Sequence, residues 1–165
     1  MDLLIDTNVL IHLLHPTGNA EAGLTRQLLD WDRAGHIRIC VPAISGHEQG
    51  RSPELLGAEL DSLGLASDRI VDSGERSDSY LNEISAILGH RKAGDWYDAL
   101  IVYIALDRIR RGQDTWLVTG DRNILRHNEI LQVLGDLPIL TLRGAVNKLK
   151  EFFPLTINLR MEKHA

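Results

Sequence analysis

Short apolar bursts alternate with longer stretches of helical period. Leu3-Leu4-Ile5 is closed by polar Asp6-Thr7-Asn8, after which Val9, Leu10, Ile11, Leu13 and Leu14 resume at helix-compatible spacing. This predicts strand, polar turn, helix. Leu24, Leu28 and Trp31 then fall three or four residues apart, an amphipathic helix that should stop near Gly35. Ile37 to Val41 reads as a second strand. Pro42 is expected to open a short helix carrying Ile44 and Glu48, and Ser52-Pro53 another with an apolar stripe of Leu55, Leu56, Leu60 and Leu63. Ile70-Val71 is a weaker third strand. Tyr80, Leu81, Ile84, Ile87 and Leu88 repeat with helical period up to Gly89, and a basic loop, His90 to Gly94, precedes a helix from near Asp95 with a stripe of Ile101, Val102, Ala105 and Ile109. Trp116-Leu117-Val118 reads as a fully buried strand, followed by Thr119-Gly120-Asp121 and a helical segment from Ile124 to Leu134. Pro138-Ile139-Leu140 is the last candidate strand, with a final helix through Val146 and Leu149 to about Phe153.

Strands separated by helical segments of this length predict an α/β domain of three layers, a mostly parallel sheet of four to five strands flanked by helices. The expected organisation is a single domain over 1–153 and a C-terminal tail over 154–165. A length of 165 residues with 44% hydrophobic and 25% charged content fits one buried core and excludes a fibre or a disordered tail. Eighteen Lys+Arg against 23 Asp+Glu leave a net charge of −5, so no overall positive field draws the molecule to a polyanion. Residues 1–88 hold 6 basic and 14 acidic residues, whereas residues 89–126 hold 7 and 5, so the acidity is front-loaded. No apolar run reaches the ~18 residues of a membrane span, and the opening residues lack the basic region of a secretory signal. With one cysteine, Cys40, in an apolar strand pattern, the expectation is a cytoplasmic protein with no membrane partner.

In an open parallel sheet, ligands bind beyond the carboxyl ends of the strands, so acids directly after strand runs come first. Asp6 follows Leu3-Leu4-Ile5, and Asp121 lies three residues after Val118. Asp98 sits in the first turn of its helix on the apolar stripe, and Glu48 shares a face with Ile44. Singly, each has a structural explanation as a cap, a turn residue or a solvated acid. Together they are four acids at one kind of position from elements that such a sheet makes adjacent. Two carboxylates about 4.5 Å apart repel by roughly 3–4 kcal/mol at an effective dielectric near 20. An all-oxygen cluster of this kind suits Mg²⁺ or Mn²⁺, which support displacement at phosphorus.

At these residues the chain resembles the PIN domains, a family of metal-dependent ribonucleases that includes the toxins of many VapBC toxin–antitoxin pairs. Leu4-Ile5-Asp6-Thr7-Asn8-Val9-Leu10-Ile11 is similar to the family's opening motif, and Pro42-Ala43-Ile44-Ser45-Gly46-His47-Glu48 resembles the second. Asp98-Ala99-Leu100-Ile101 with Ala105 resembles the third, and Leu117-Val118-Thr119-Gly120-Asp121-Arg122-Asn123 the fourth. The resemblance implies a PIN-like fold and a nuclease, a hydrolase of RNA phosphodiester bonds, with Asp6, Glu48, Asp98 and Asp121 as catalytic metal ligands for Mg²⁺ or Mn²⁺. It also implies partners: an RNA substrate, a second copy in a homodimer, and for the toxin type a small antitoxin protein. One departure stands in the fourth motif, where Asn123 occupies a position at which the family often has a further aspartate. Asp95, one helical turn before Asp98, can compensate or can cap its helix. Thr7, Asn8 and Thr119 are candidates to hydrogen-bond the carboxylates or a phosphate. Arg91, Lys92, Arg122 and Arg126 are candidates to contact RNA.

Two rival readings come from other classes. A strand-end aspartate can serve as a phosphatase nucleophile, as in haloacid-dehalogenase-like enzymes, but those carry a second acid where this chain has Asn8. The fold can also persist as a non-catalytic binding module. His12 and His15 share a helical face, yet no further ligand completes a zinc site. No Gly-rich phosphate loop is present. Trp31, Trp116, Phe152 and Phe153 read as core, leaving little for base stacking.

Overall fold

Successive strand residues point to opposite sides of the sheet, and this alternation builds two separate cores. In the computed structural model, which describes residues 1–16, 18–44, 53–72, 77–89 and 96–153, Leu3 and Ile5 enter one apolar cluster and Leu4 the other. Ile39 and Val41 divide from Cys40 in the same way, as do Trp116 and Val118 from Leu117. The strands are β1 (Asp2–Ile5), β2 (Arg38–Pro42), β3 (Ile70–Val71), β4 (Thr115–Val118) and β5 (Ile139–Leu140). They form one sheet in the order β3-β2-β1-β4-β5, every pair parallel.

The Leu3/Ile5 face is covered by α1 (Thr7–Leu14), α2 (Gly18–Arg33), α3 (Pro53–Ser62) and α8 (Leu142–Phe152). The Leu4 face is covered by α4 (Asp78–Ile87), α5 (Trp96–Arg110), α6 (Arg122–Arg126) and α7 (Asn128–Leu131). The fold is therefore a three-layer α/β sandwich. Connections from β1 to β2 to β3 step one way with helices on one face; those from β3 to β4 to β5 step the other way with helices on the opposite face. Reversing both keeps the same hand, as parallel crossovers require. The reversal leaves a crevice between the carboxyl ends of β1 and β4, the position where such sheets bind ligands.

The sequence expectations meet the structure unevenly. α2 ends where Gly35 predicts: Gly35 has φ +78°, and His36 N–H returns to the Trp31 carbonyl at 3.0 Å, the closing bond of a left-handed C-terminal cap. The polar run Asp6-Thr7-Asn8 is not a turn. Asp6 caps a helix that begins at Thr7, because its carboxylate takes the Thr7 N–H at 2.7 Å. Pro42 closes β2, and Ala43 N–H extends the ladder to the Val71 carbonyl, while the expected helix toward Glu48 runs into 45–52, outside the described residues. The expected helix from Ile124 to Leu134 is two short ones, broken at His127, whose imidazole Nδ1 meets the Asn123 carbonyl at 2.7 Å. Phe152, expected in the core, is 58% exposed at the sheet's amino edge, its ring tilted against Trp116. α5 carries no single stripe: Ala99 through Leu106 are all buried because the helix lies between the sheet and α4. The 154–165 tail and the loop over 90–95 lie outside the described residues. No described helix is long and apolar enough to cross a membrane.

A buried ion pair ties the second strand to its neighbours. Asp32 of α2 accepts Ile39 N–H at 2.7 Å and both Arg69 guanidinium nitrogens at 2.5 and 3.0 Å, and Arg69 also donates to the Ile39 carbonyl. Removing the carboxylate strands a guanidinium and a strand amide. Asp32→Ala is expected to destabilise the fold by about 3 kcal/mol in urea unfolding, and a loss below about 1 kcal/mol would show that water replaces the carboxylate without cost.

Candidate metal centre at the β1/β4 switch point

Asp6 continues β1 by one residue: its N–H pairs with the Val118 carbonyl at 2.9 Å, and its φ and ψ of −71° and 161° are extended. Alternation then sends its side chain to the Leu4 side, the side covered by α5. The carboxylate is 4% exposed. Oδ1 accepts from Thr7 N–H, and Oδ2 accepts from the Thr119 hydroxyl at 2.6 Å. Thr119, fully buried at the end of β4, uses the same oxygen to accept Asp121 N–H at 3.0 Å. One hydroxyl thus joins the first acid to the backbone of the second.

Asp121 caps α6, with Oδ1 accepting Ile124 N–H at 3.0 Å. Its charge reaches Asp6. Burial pushes the Asp6 carboxyl above its ordinary 3.8, Asp121 adds to the rise, and the hydrogen bonds from Thr119 and Thr7 pull it back. A cation seated beside both acids would relieve burial and repulsion together.

Asp98 comes to the same rim by helix length. Near the far end of α5, Arg108 bonds Asp2 at the start of β1. Ten residues of helix rise about 15 Å, and four strand residues about 13 Å. Asp98, half-buried in the first turn of α5, therefore lies on the Leu4 side of the sheet, toward the carboxyl ends of the strands. Among the described residues, however, no three His, Cys, Asp or Glu side chains gather closely enough to hold one ion. The described site is a close pair, Asp6 and Asp121, with Asp98 on its rim. Glu48 and Asp95, and with them His47, Arg91 and Lys92, lie outside the described residues.

The remaining candidates divide by what their side chains touch. Asn8 Oδ1 accepts Gly120 N–H at 3.1 Å, a second clasp between the β1 and β4 loops, which also occupies the position a phosphatase would give to its second acid. Thr7 is buried beneath Asp6. Asn123 is spent on structure: its amide donates to the Leu88 carbonyl at 2.9 Å, docking α6 on the end of α4, and its oxygen accepts from Arg126 at 2.8 Å. It therefore does not stand in for a further acidic ligand, and Arg126 is turned toward it. Arg122 is exposed at the start of α6. His12 pairs with Glu21 rather than with His15, so the two histidines do not form a metal pair. His12, Glu21 and Arg143 border a cleft beside the acids that no sequence motif marks.

Mg²⁺ is commonly held by one or two carboxylates while water and substrate phosphate oxygens complete its sphere. The hard-oxygen donors of Asp6 and Asp121 fit that demand. No family profile, curated protein or solved structure matches this chain. The PIN resemblance accordingly rests on the motif residues themselves.

The raised Asp6 pKa has a defined consequence. In metal-free protein, the folded state binds the Asp6 proton more tightly than the unfolded chain. Its contribution to stability is thus whole below the ordinary carboxylate value and is lost as pH rises through the raised folded value. Asp6→Asn removes that loss. The urea midpoint of the variant, compared with the native chain between about pH 4 and about pH 7, should gain relative stability toward the higher pH. Parallel profiles for the two proteins would contradict the burial assignment.

Proposed function

We propose that the protein is a divalent-metal-dependent endoribonuclease that hydrolyses RNA phosphodiester bonds. The observation that carries the reading is the Asp6–Asp121 pair, joined at the switch point by the Thr119 hydroxyl, with the Asp6 carboxyl pushed up by burial and, to a smaller degree, by the Asp121 charge. Asp6 and Asp121 would hold Mg²⁺ or Mn²⁺, with Asp98 and Glu48 supplying further oxygens. The bound ion supplies Lewis-acid activation of water and neutralises charge developing at phosphorus. Thr119 orients Asp6 by donating its only proton to Oδ2. Thr7 N–H fixes the other oxygen, so the carboxylate plane is set before any ligand arrives. Arg122, exposed next to Asp121, can meet a neighbouring phosphate.

A toxin role, with a small antitoxin protein blocking the acidic crevice, belongs to the same proposal and follows from the resemblance. So do a homodimer and a cytoplasmic location, the latter in keeping with the single buried free thiol of Cys40.

The test is RNA cleavage by the full chain with Mg²⁺ or Mn²⁺ added and then chelated. Activity should require the metal, and Asp6→Asn and Asp98→Asn should each lower kcat/KM by about 100-fold or more while the variants stay folded by circular dichroism. Mn²⁺ should raise the Tm of the native chain and not that of Asp6→Asn. Metal binding without cleavage would leave only a binding module, and cleavage retained in both variants would refute the assignment.

A further inference from the structure

On the Leu3/Ile5 side of the β1 and β4 ends lies a cleft of about 310 Å³ bounded by α1, α2 and the start of α8. Asn8 and Gly120 both line it, two residues from Asp6 and one from Asp121 along the chain. The Asn8 amide is held in one orientation. Its oxygen accepts the Gly120 N–H at 3.1 Å, and its nitrogen lies over the Gly120 α-carbon, about 3.4 Å from where a side chain there would begin. That leaves the two protons of Nδ2, which meet no acceptor among the described residues, as what Asn8 has to offer a ligand.

Arg143 lines the same cleft from the start of α8. Its side chain is exposed and meets no acid among the described residues. The acid that borders the cleft, Glu21, faces His12 at 3.0 Å. An amide NH2 and a guanidinium are donors only, and the guanidinium fork suits phosphate oxygens. A strand laid across the switch point brings more than its reacting phosphate into the field of Asp6 and Asp121, in a protein of net charge −5. The next phosphate needs positive partners of its own.

Resting on the ribonuclease reading for its setting, we infer that Asn8 and Arg143 hold the phosphate next to the scissile one in single-stranded RNA. Both are positioning residues. With its reacting phosphate at the acids and the neighbouring phosphate in the cleft, the strand is fixed on the side of α1 and α8. A phosphate contact sets register and carries no base preference, so its effect should be the same for every RNA sequence.

The test measures binding of a short single-stranded RNA to the full chain by fluorescence anisotropy, without divalent metal and over a range of salt, and cleavage kinetics with Mn²⁺. Arg143→Ala should weaken binding by about fivefold and flatten the dependence of log K on log salt by about 0.7, the loss of one phosphate contact. Arg143→Lys should keep the slope. Asn8→Asp retains an oxygen for Gly120 N–H but sets a carboxylate in place of the donor, and should weaken binding by about tenfold. In cleavage, the Arg143→Ala effect should fall on KM rather than kcat. Arg143 is exposed, so folding is not at stake. The inference is overturned if Arg143→Ala leaves affinity and slope unchanged, or if Arg111→Ala, just past the far end of α5, lowers them equally. Inorganic phosphate binding as tightly as the RNA, with the same loss in Arg143→Ala, would assign the cleft to a free anion and overturn the strand. Weakened RNA binding by Arg143→Ala in a protein that cuts no RNA would keep the cleft assignment and sink the nuclease; metal-dependent cutting with unchanged KM in that variant would do the reverse.

Discussion

The hydroxyl of Thr119 has one proton, and it is given to Asp6. Its oxygen accepts from Asp121, so a single buried group sets the position of both acids and joins β1 to β4 beyond the last ladder bond. An ionised carboxylate taken from water into this setting costs several kcal/mol. Hydrogen bonds to a charged group return about 1.5–3 kcal/mol each. Asp6 receives two of them, from Thr119 and Thr7, and retains a raised pKa. The balance favours any ligand that brings positive charge.

That arrangement depends on the sheet order. Because β1 and β4 are neighbours although more than a hundred residues apart, the crevice between their ends is formed by segments that local sequence does not connect. The crossover helices leave in opposite directions on opposite faces, which opens a crevice between their first turns. α5 is tied at its far end to Asp2 by Arg108, so its first turn, with Asp98, lies toward the carboxyl ends of the strands. A pair at the bottom of the sheet thus sets geometry at the top.

The helix caps show the same side chains serving two purposes. Asp6 and Asp121 each stabilise a helix start by accepting a backbone N–H, and each also meets the Thr119 hydroxyl, Asp6 through its carboxylate and Asp121 through its N–H. Capping therefore coexists with the link that joins the two acids. Asn123 shows the opposite outcome. With its amide committed to Leu88 and its oxygen to Arg126, it stabilises the α4–α6 contact and leaves the acidic cluster to others.

Much of the architecture was readable before any coordinates. The apolar bursts at Leu3-Leu4-Ile5, Ile37–Val41 and Trp116-Leu117-Val118 mark strands because a strand buried on both faces needs no alternation, and Gly35 marks a helix end because it alone tolerates the required φ. Asp6 and Asp121 stood out as polar residues at strand ends. The role of Pro42, the break at His127 and the exposure of Phe152 were not legible. Each turns on a partner distant in sequence or on a competition between near-equal local conformations. Local periodicity determined which segments are strands and helices, since it records which faces are buried. Only the tertiary structure decided that Asp6 and Asp121 share one hydroxyl, that Asn123 does not join them, and that Glu21 and Arg143 frame a cleft beside them, because those relations depend on strand order and helix placement, which no local pattern encodes.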